Sequence, residues 1–91
     1  MDVSPDIQRR IALTISQVSR TIRALRLERG LTVQEVADRC GIERSNLSRI
    51  EAGRTNMTLR TLCTICFALK VELTDLLPGC PQNVFPDSAS E

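Results

Sequence analysis

The sequence lacks several residue types on which common protein chemistries depend. It has no histidine, tryptophan or tyrosine, and its only aromatic residues are Phe67 and Phe85. Without imidazole, histidine acid–base catalysis, Ser-His and Cys-His nucleophiles and every histidine metal site are excluded. The core is therefore expected to be aliphatic, and we expect no catalytic residue, no cofactor and no metal.

Long hydrophobic runs are also missing. No apolar segment approaches the roughly 20 residues that span a bilayer, and the acidic start contains no hydrophobic signal stretch. We therefore expect a cytoplasmic protein that does not contact a membrane. The four cysteines are then expected to be reduced thiols, and a chain of 91 residues is expected to form one small domain.

Positive charge is concentrated in the middle of the chain, although the net charge is only +1. Residues 9–60 contain eleven arginines against five acidic residues, whereas the segments on either side are acidic. Arginine forms bidentate hydrogen bonds with phosphate and with guanine. The distribution favours an anionic partner, which composition alone does not identify.

The first part of the chain is predicted to be helical. Ser4 is a suitable N-cap, Pro5 suits the first helical position, and Gly30 suits the stop. The spacing does not distinguish one long helix from two collinear helices. The apolar stripe of this segment consists of Ile11, Ile15, Val18, Ile22 and Leu25.

A helix, a sharp turn and another helix are predicted next. Thr32 and Glu35 form a capping box that begins the second helix, and Gly41 permits the turn. The third helix is expected to bury Leu47 and Ile50. No strand pattern competes with these helices.

A fourth helix is predicted to follow Thr58, and a last helical turn is predicted from Thr74 to a point before Pro78. The inward side of the fourth helix is expected to comprise Leu59, Leu62, Ile65, Cys66 and Leu69. Residues 78–91 have no periodicity and are expected to form a loose C-terminal tail.

The third helix carries residue types that suit DNA recognition. Ser45, Ser48 and Arg49 point away from its apolar side, and Arg44 lies on the flank of the first turn. A helix with outward arginine and short polar side chains can enter the major groove and reach base edges. From polarity alone, a solvated helix face is the more frequent explanation.

A set of positions between residues 22 and 77 has the order and spacing of one known family. They are Ile22-Arg23, Arg26, Gly30-Leu31-Thr32, Glu35, Ala37, Gly41, Ser45, Ile50-Glu51, Gly53, Thr61-Leu62 and Ala68-Leu69. On these residues the segment closely resembles the XRE/Cro-type helix-turn-helix family, the lambda-repressor-like domains.

The resemblance implies a compact, all-α domain of five helices, in which the second and third form the helix-turn-helix. We expect an N-terminal helical extension over residues 1–16, a DNA-binding domain over 17–77 and the tail over 78–91. The implied partner is double-stranded DNA, and the implied function is a transcriptional regulator. We expect a dimeric repressor of a palindromic operator.

The resemblance also assigns DNA contacts to positions in this sequence. The expected base-reading residues are Arg44, Ser45 and Arg49. The expected contacts with the DNA backbone or groove wall are Thr32, Val33, Asn46, Ser48, Arg54, Thr55 and Asn56. Val33 stands where the family commonly has glutamine, and Glu43 stands where it usually has a serine or threonine cap.

Glu51 and Arg26 are expected to form a structural ion pair. Glu51 lies roughly 70° from the centre of the buried arc of its helix, where a carboxylate needs a partner. Arg26 flanks the apolar stripe of the first helix, and the resemblance implies the same pair. We expect this pair to stabilise the domain rather than to contact DNA.

The spacing of Cys63 and Cys66 is that of a C-x-x-C motif. No second cysteine pair and no histidine completes a set of four metal ligands, so packing is favoured over a metal or redox role. Cys63 and Phe67 instead form a second apolar stripe on the fourth helix.

A dimer or partner surface is expected on this stripe and on the N-terminal extension, which carries Ile7, Ile11 and Ile15. Either the extension folds back on its own fourth helix, or both surfaces meet a second subunit; we favour the homodimer.

Two other functions remain open. An antitoxin of this fold would use the extension and the stripe to bind a toxin. A protein-interaction module that has lost DNA binding would account for Val33, Glu43 and the low net charge. A neighbouring toxin gene or a co-purifying regulator would distinguish these alternatives.

Overall fold

The computed structural model describes residues 4–77, which form five α-helices and no strand within that range. The helices are α1 (Pro5–Glu28), α2 (Val33–Cys40), α3 (Arg44–Glu51), α4 (Leu59–Leu69) and α5 (Leu73–Leu76). The prediction of an all-α domain of five helices is confirmed. The predicted tail and Cys80 lie outside the described residues.

α1 is one continuous helix of 24 residues, so the segment does not divide into two. The Ser4 hydroxyl accepts a hydrogen bond from the Ile7 amide at 3.2 Å, and Pro5 occupies the first turn. The helix crosses residue 16 without a break, and residues 4–14 are all exposed. No helix of residues 4–77, α1 included, is long and apolar enough to cross a membrane.

α2 begins with the predicted capping box. The Thr32 hydroxyl accepts from the Glu35 amide at 3.0 Å, and the Glu35 carboxylate accepts from the Thr32 amide at 2.8 Å. These bonds lower the pKa of the Glu35 carboxyl, the backbone bond from Thr32 contributing most. Gly41 ends α2 at φ +71°, where glycine has no side-chain clash.

The core is aliphatic and draws on all five helices. Its buried members are Val18, Ile22, Val36, Ala37, Leu47, Ile50, Ile65, Cys66, Ala68, Leu69 and Leu76. The prediction for Leu59 is wrong, since this residue is 69% exposed. Leu59 begins α4, and the buried residues of that helix all lie in its second half, where it packs against the other helices. The last helix begins at Leu73, one residue before the expected start.

Candidate nucleic-acid interface

α3 presents a polar face on the surface of the domain. Arg44, Ser45, Ser48 and Arg49 are exposed, whereas Asn46 is half-buried. The opposite side of the helix is anchored in the core by Leu47 and Ile50. The side chains of the two arginines have no hydrogen-bond or ion-pair partner within residues 4–77. They are therefore available to acceptors outside the protein.

The start of α3 is weakly capped. Glu43 occupies the N-cap position, but its side chain makes no capping hydrogen bond. Its backbone oxygen accepts from the amides of Asn46 and Leu47 at 3.0 and 3.1 Å. The exposed Glu43 carboxylate therefore stands beside Arg44 at the end of α3 that follows the turn.

An ion pair holds the other end of α3 against α1. Arg26 donates from Nε and Nη2 to the two carboxylate oxygens of Glu51, at 2.7 and 3.0 Å. Its Nη1 donates to the Leu31 carbonyl at 2.8 Å, which ties in the segment before α2. The hydrogen bonding of Arg26 to the Glu51 carboxylate is the main cause of the raised pKa of Arg26. The side chains of Arg26 and Glu51 are only 9% and 7% exposed, so the pair is inside the domain.

The loop after α3 continues the polar face. Gly53 has φ +74°, and the Arg54 amide donates to the Arg49 carbonyl at 3.0 Å. Arg54 and Asn56 are exposed and Thr55 is half-buried. Four residues of α1 line one cavity together with this loop: Gln8, Ile11, Ala12 and Ile15. The extension of α1 therefore lies beside the segment in which phosphate contacts are expected.

The first turn of α2 offers backbone amides rather than a polar side chain at position 33. The Val33 side chain is half-buried and packs against the core. It therefore cannot donate a hydrogen bond to phosphate, as the glutamine common at this position in the family can. The Gln34 side chain donates to Asp38 at 2.8 Å. No acceptor within residues 4–77 faces the backbone amides of Val33 and Gln34. Free amides in the first turn of a helix bind anions, so here the backbone is the available donor.

Ala52 extends the exposed face of α3, although it is not among the predicted DNA contacts. This residue is exposed and follows Ser45 and Ser48 at helical spacing, which puts all three on one face. Its spacing of four residues from Ser48 already indicates in the sequence that it shares this face. An alanine methyl suits contact with the methyl group of thymine.

The cysteines divide into buried and exposed thiols. Cys66 is 6% exposed and Cys40 is half-buried, and burial raises the pKa of both thiols. Cys63 is exposed. Within residues 4–77 no group of three or more cysteine or acidic residues could hold a metal ion.

Two separate apolar patches remain on the surface. The extension patch, Ile7, Ile11 and Ile15, borders a groove that includes Leu62 of α4. The α4 stripe, Cys63 and Phe67, is exposed, and Phe67 is 84% exposed. Within residues 4–77 the extension therefore borders α4 at Leu62 but does not cover the α4 stripe. A continuous α1 passes α4 on the side of Leu62 and leaves Phe67 uncovered.

Comparison with known proteins agrees with this geometry. A helix-turn-helix domain model matches residues 17–77. The transcriptional regulator DdrOP3 of Deinococcus deserti is 40% identical over 58 residues, which cover 64% of this chain and 45% of that protein. The regulator y4dJ of Sinorhizobium fredii is 39% identical over 61 residues, which cover 67% of this chain and 79% of that protein.

A solved structure of a regulatory protein also shares this fold. The restriction-modification controller protein C.AhdI from Aeromonas hydrophila superposes with a TM-score of 0.67 at 27% identity, covering 68% of this chain and 94% of that one. The chain spans less than half the length of the Deinococcus relative. The matched segment nevertheless contains α2, α3 and the loop after them, so the chain belongs to the XRE/Cro-type helix-turn-helix family of transcriptional regulators.

Proposed function

We propose that the protein is a sequence-specific DNA-binding regulator that represses transcription as a dimer on a palindromic operator. The observation that carries this proposal is the exposed face of α3, where Arg44 and Arg49 have no partner in the described chain. Membership of the family supports it. The protein would act in the cytoplasm, where it has access to bacterial DNA, and would perform no reaction.

Base recognition is assigned to α3. The major groove is about 12 Å wide and admits a helix, and arginine bonds guanine through O6 and N7. Arg44 and Arg49 are the residues for such contacts, and Ser45 and Ala52 lie on the same exposed face. The Arg26–Glu51 pair would keep this face at a constant angle to the groove.

Contacts with the DNA backbone would fix the register and orientation of the protein on the duplex. Arg54 with Thr55 and Asn56 would hold phosphates at one end of α3. The first turn of α2 would hold phosphates through its backbone amides, with the Thr32 side chain already engaged by Glu35. Asn46 and Ser48 would lie near the groove wall.

The dimer is proposed from the two apolar patches. Ile7 and Ile11 are 47% and 45% exposed on a helix whose first ten residues are all exposed. A helix segment of that length is marginal in water unless another surface covers its apolar side. A second subunit would cover it, and two-fold pairing would present two α3 helices to half-sites about 34 Å apart.

Selection of bound duplexes from a random DNA pool tests this function. We expect an enriched two-fold-symmetric motif whose affinity falls steeply as salt concentration rises. Enrichment of an asymmetric half-site would contradict the dimer. Absence of any enrichment, with weak binding at low salt, would contradict DNA recognition.

A protein partner is the second candidate function, and the α4 stripe favours it. Phe67 is 84% exposed and borders an open groove that also includes Arg39, Val71 and Asp75. Aromatic side chains are enriched in protein interfaces. A toxin or another regulator that co-purifies with the native protein, and is lost on Phe67→Glu substitution, would support the antitoxin alternative. Co-purification that survives this substitution would argue against the stripe as its site.

A further inference from the structure

Most arginines of this chain have no hydrogen-bond or ion-pair partner among residues 4–77. Four of the eleven do: Arg9 pairs with Asp6, Arg26 with Glu51 and Arg29 with Glu28, and Arg39 donates to the Ala68 carbonyl. Seven have none within residues 4–77: Arg10, Arg20, Arg23, Arg44, Arg49, Arg54 and Arg60. Arg44, Arg49 and Arg54 belong to the interface described above, and the other four have no assigned role.

One of these four lies on the side of α1 that packs against the end of α3. Ser16, Ser19, Arg23 and Arg26 follow one another at intervals of three, four and three, which makes them a single strip along the helix. Ser16 and Ser19 approach Gly53 so closely that a Cβ there would lie 3.9 Å from Ser16 Cα and 3.8 Å from Ser19 Oγ. Arg26 pairs with Glu51. Three members of the strip therefore lie against the last residue of α3 or against Gly53, two residues beyond it, and Arg23 is the exposed member.

We propose that Arg23 binds a DNA phosphate on the groove wall beside the C-terminal end of α3. This inference rests on the proposed DNA-binding function and adds a contact from α1, outside the helix-turn-helix itself. When α3 occupies the major groove, phosphates line both sides of it. A long cationic side chain at the flank of its last turn is suited to one of them.

The charges around Arg23 favour an external anion over an internal partner. Glu51 is the carboxylate at this end of α3, and both of its oxygens already accept from Arg26. Arg54 follows on the loop after α3 and is also unpaired in the described chain. Arg23 and Arg54 would thus supply two phosphate contacts from different segments at the same end of the recognition helix.

The salt dependence of DNA binding tests this proposal, with Arg23→Gln as the variant. Each lost phosphate contact lowers the slope of log affinity against log salt concentration by about one. We expect that decrease for Arg23→Gln, with an equal loss of affinity for the selected duplex and for a scrambled one. The matched control is Arg10→Gln, on the same helix and with the same charge change, but on the side of α1 opposite the residues that border the loop after α3. It should leave the slope unchanged.

Two results would overturn the proposal. An unchanged slope for Arg23→Gln, in a variant with native helicity and melting temperature, would remove the phosphate contact. An equal decrease for Arg10→Gln would indicate a general charge effect instead. If the wild-type protein binds no duplex, the proposed function fails together with this inference. If the wild type binds its motif and only the slope prediction fails, the proposed function stands.

Discussion

At the scale of single residues, Glu51 shows how a charge is accommodated in a small aliphatic core. Its carboxylate is only 7% exposed and accepts two hydrogen bonds from Arg26. A buried pair is not automatically more stable than an apolar pair, because both charges lose hydration. The Arg26–Glu51 pair fixes the orientation of α1 relative to the end of α3, because its two parallel hydrogen bonds require one geometry.

Removal of one partner is expected to destabilise the domain strongly. Glu51→Ala leaves the Arg26 guanidinium inside the protein without its counter-ion, which costs about 3–5 kcal/mol. The measurement is the free energy of unfolding from denaturant titration. Glu28→Ala is the matched control, because the Glu28 side chain is 73% exposed in its 3.6 Å pair with Arg29. It should change the stability by less than about 1 kcal/mol. An unchanged stability of Glu51→Ala would exclude the structural role of the pair.

Arg49 is expected to determine base preference at one position of the operator. If Arg49 makes the proposed bidentate contact with guanine, Arg49→Ala should cost about 1–3 kcal/mol at that base pair, with relaxed preference there. Competition titrations against a set of single-base operator variants measure this effect. A loss of the same size on every duplex would mean that Arg49 contacts only phosphate.

At the scale of secondary-structure elements, the capping box of α2 makes stability depend on pH in the acid range. The folded protein holds the pKa of Glu35 below its ordinary value, chiefly through the hydrogen bond from the Thr32 amide. A carboxyl with a lowered pKa contributes stability above its unfolded pKa, and this contribution is lost as the pH falls through the folded value. α2 therefore loses part of its support in acid.

Glu35→Gln tests this dependence. The wild-type melting temperature should fall as the pH is lowered through and below the ordinary pKa of a glutamate, about 4.3. A glutamine side chain does not titrate, so the decrease should be smaller in Glu35→Gln, although this variant should be less stable near neutral pH. Equal pH profiles for the two proteins would show that Glu35 does not contribute to acid unfolding.

The extension of α1 is the element whose environment the described chain leaves incomplete. Residues 4–14 are exposed, yet Ile7 and Ile11 continue the apolar stripe that packs into the core at Val18 and Ile22. Helical spacing keeps these four residues on one side of α1. The stripe thus runs beyond the core of its own domain, which is the physical basis for proposing a second subunit.

At the scale of the whole molecule, light scattering coupled to gel filtration tests the dimer. A chain of 10.1 kDa should elute with about twice that mass at concentrations at which it binds DNA. Ile11→Glu should reduce the mass to that of the monomer, because it introduces a charge into the extension patch. Leu13→Glu is the matched control, since Leu13 is 56% exposed on the opposite face of the same helix. A wild-type mass of a single chain far above the concentration for DNA binding would exclude a pre-formed dimer.

Local sequence features predicted much of this architecture. Ser4, Thr32, Gly41 and Thr58 act within one helical turn of their own positions, through hydrogen bonds or backbone conformation, so each boundary was predictable without tertiary information. The α3 face was predictable for the same reason, because helical spacing alone separates Ser45 and Arg49 from Leu47. The absence of other aromatic residues likewise determined an aliphatic core.

Other features depended on how the helices pack. Leu59 has the spacing of a core residue but begins α4 outside the packed region. Val33 was expected at the DNA backbone or groove wall, and its half-buried side chain packs against the core. Arg23 gains a proposed role only because Ser16, Ser19 and Arg26 bring its side of α1 against the end of α3. Sequence periodicity determines which side of a helix a residue occupies. Only the tertiary structure decides what that side meets, because contacts between helices join residues that are distant in the chain.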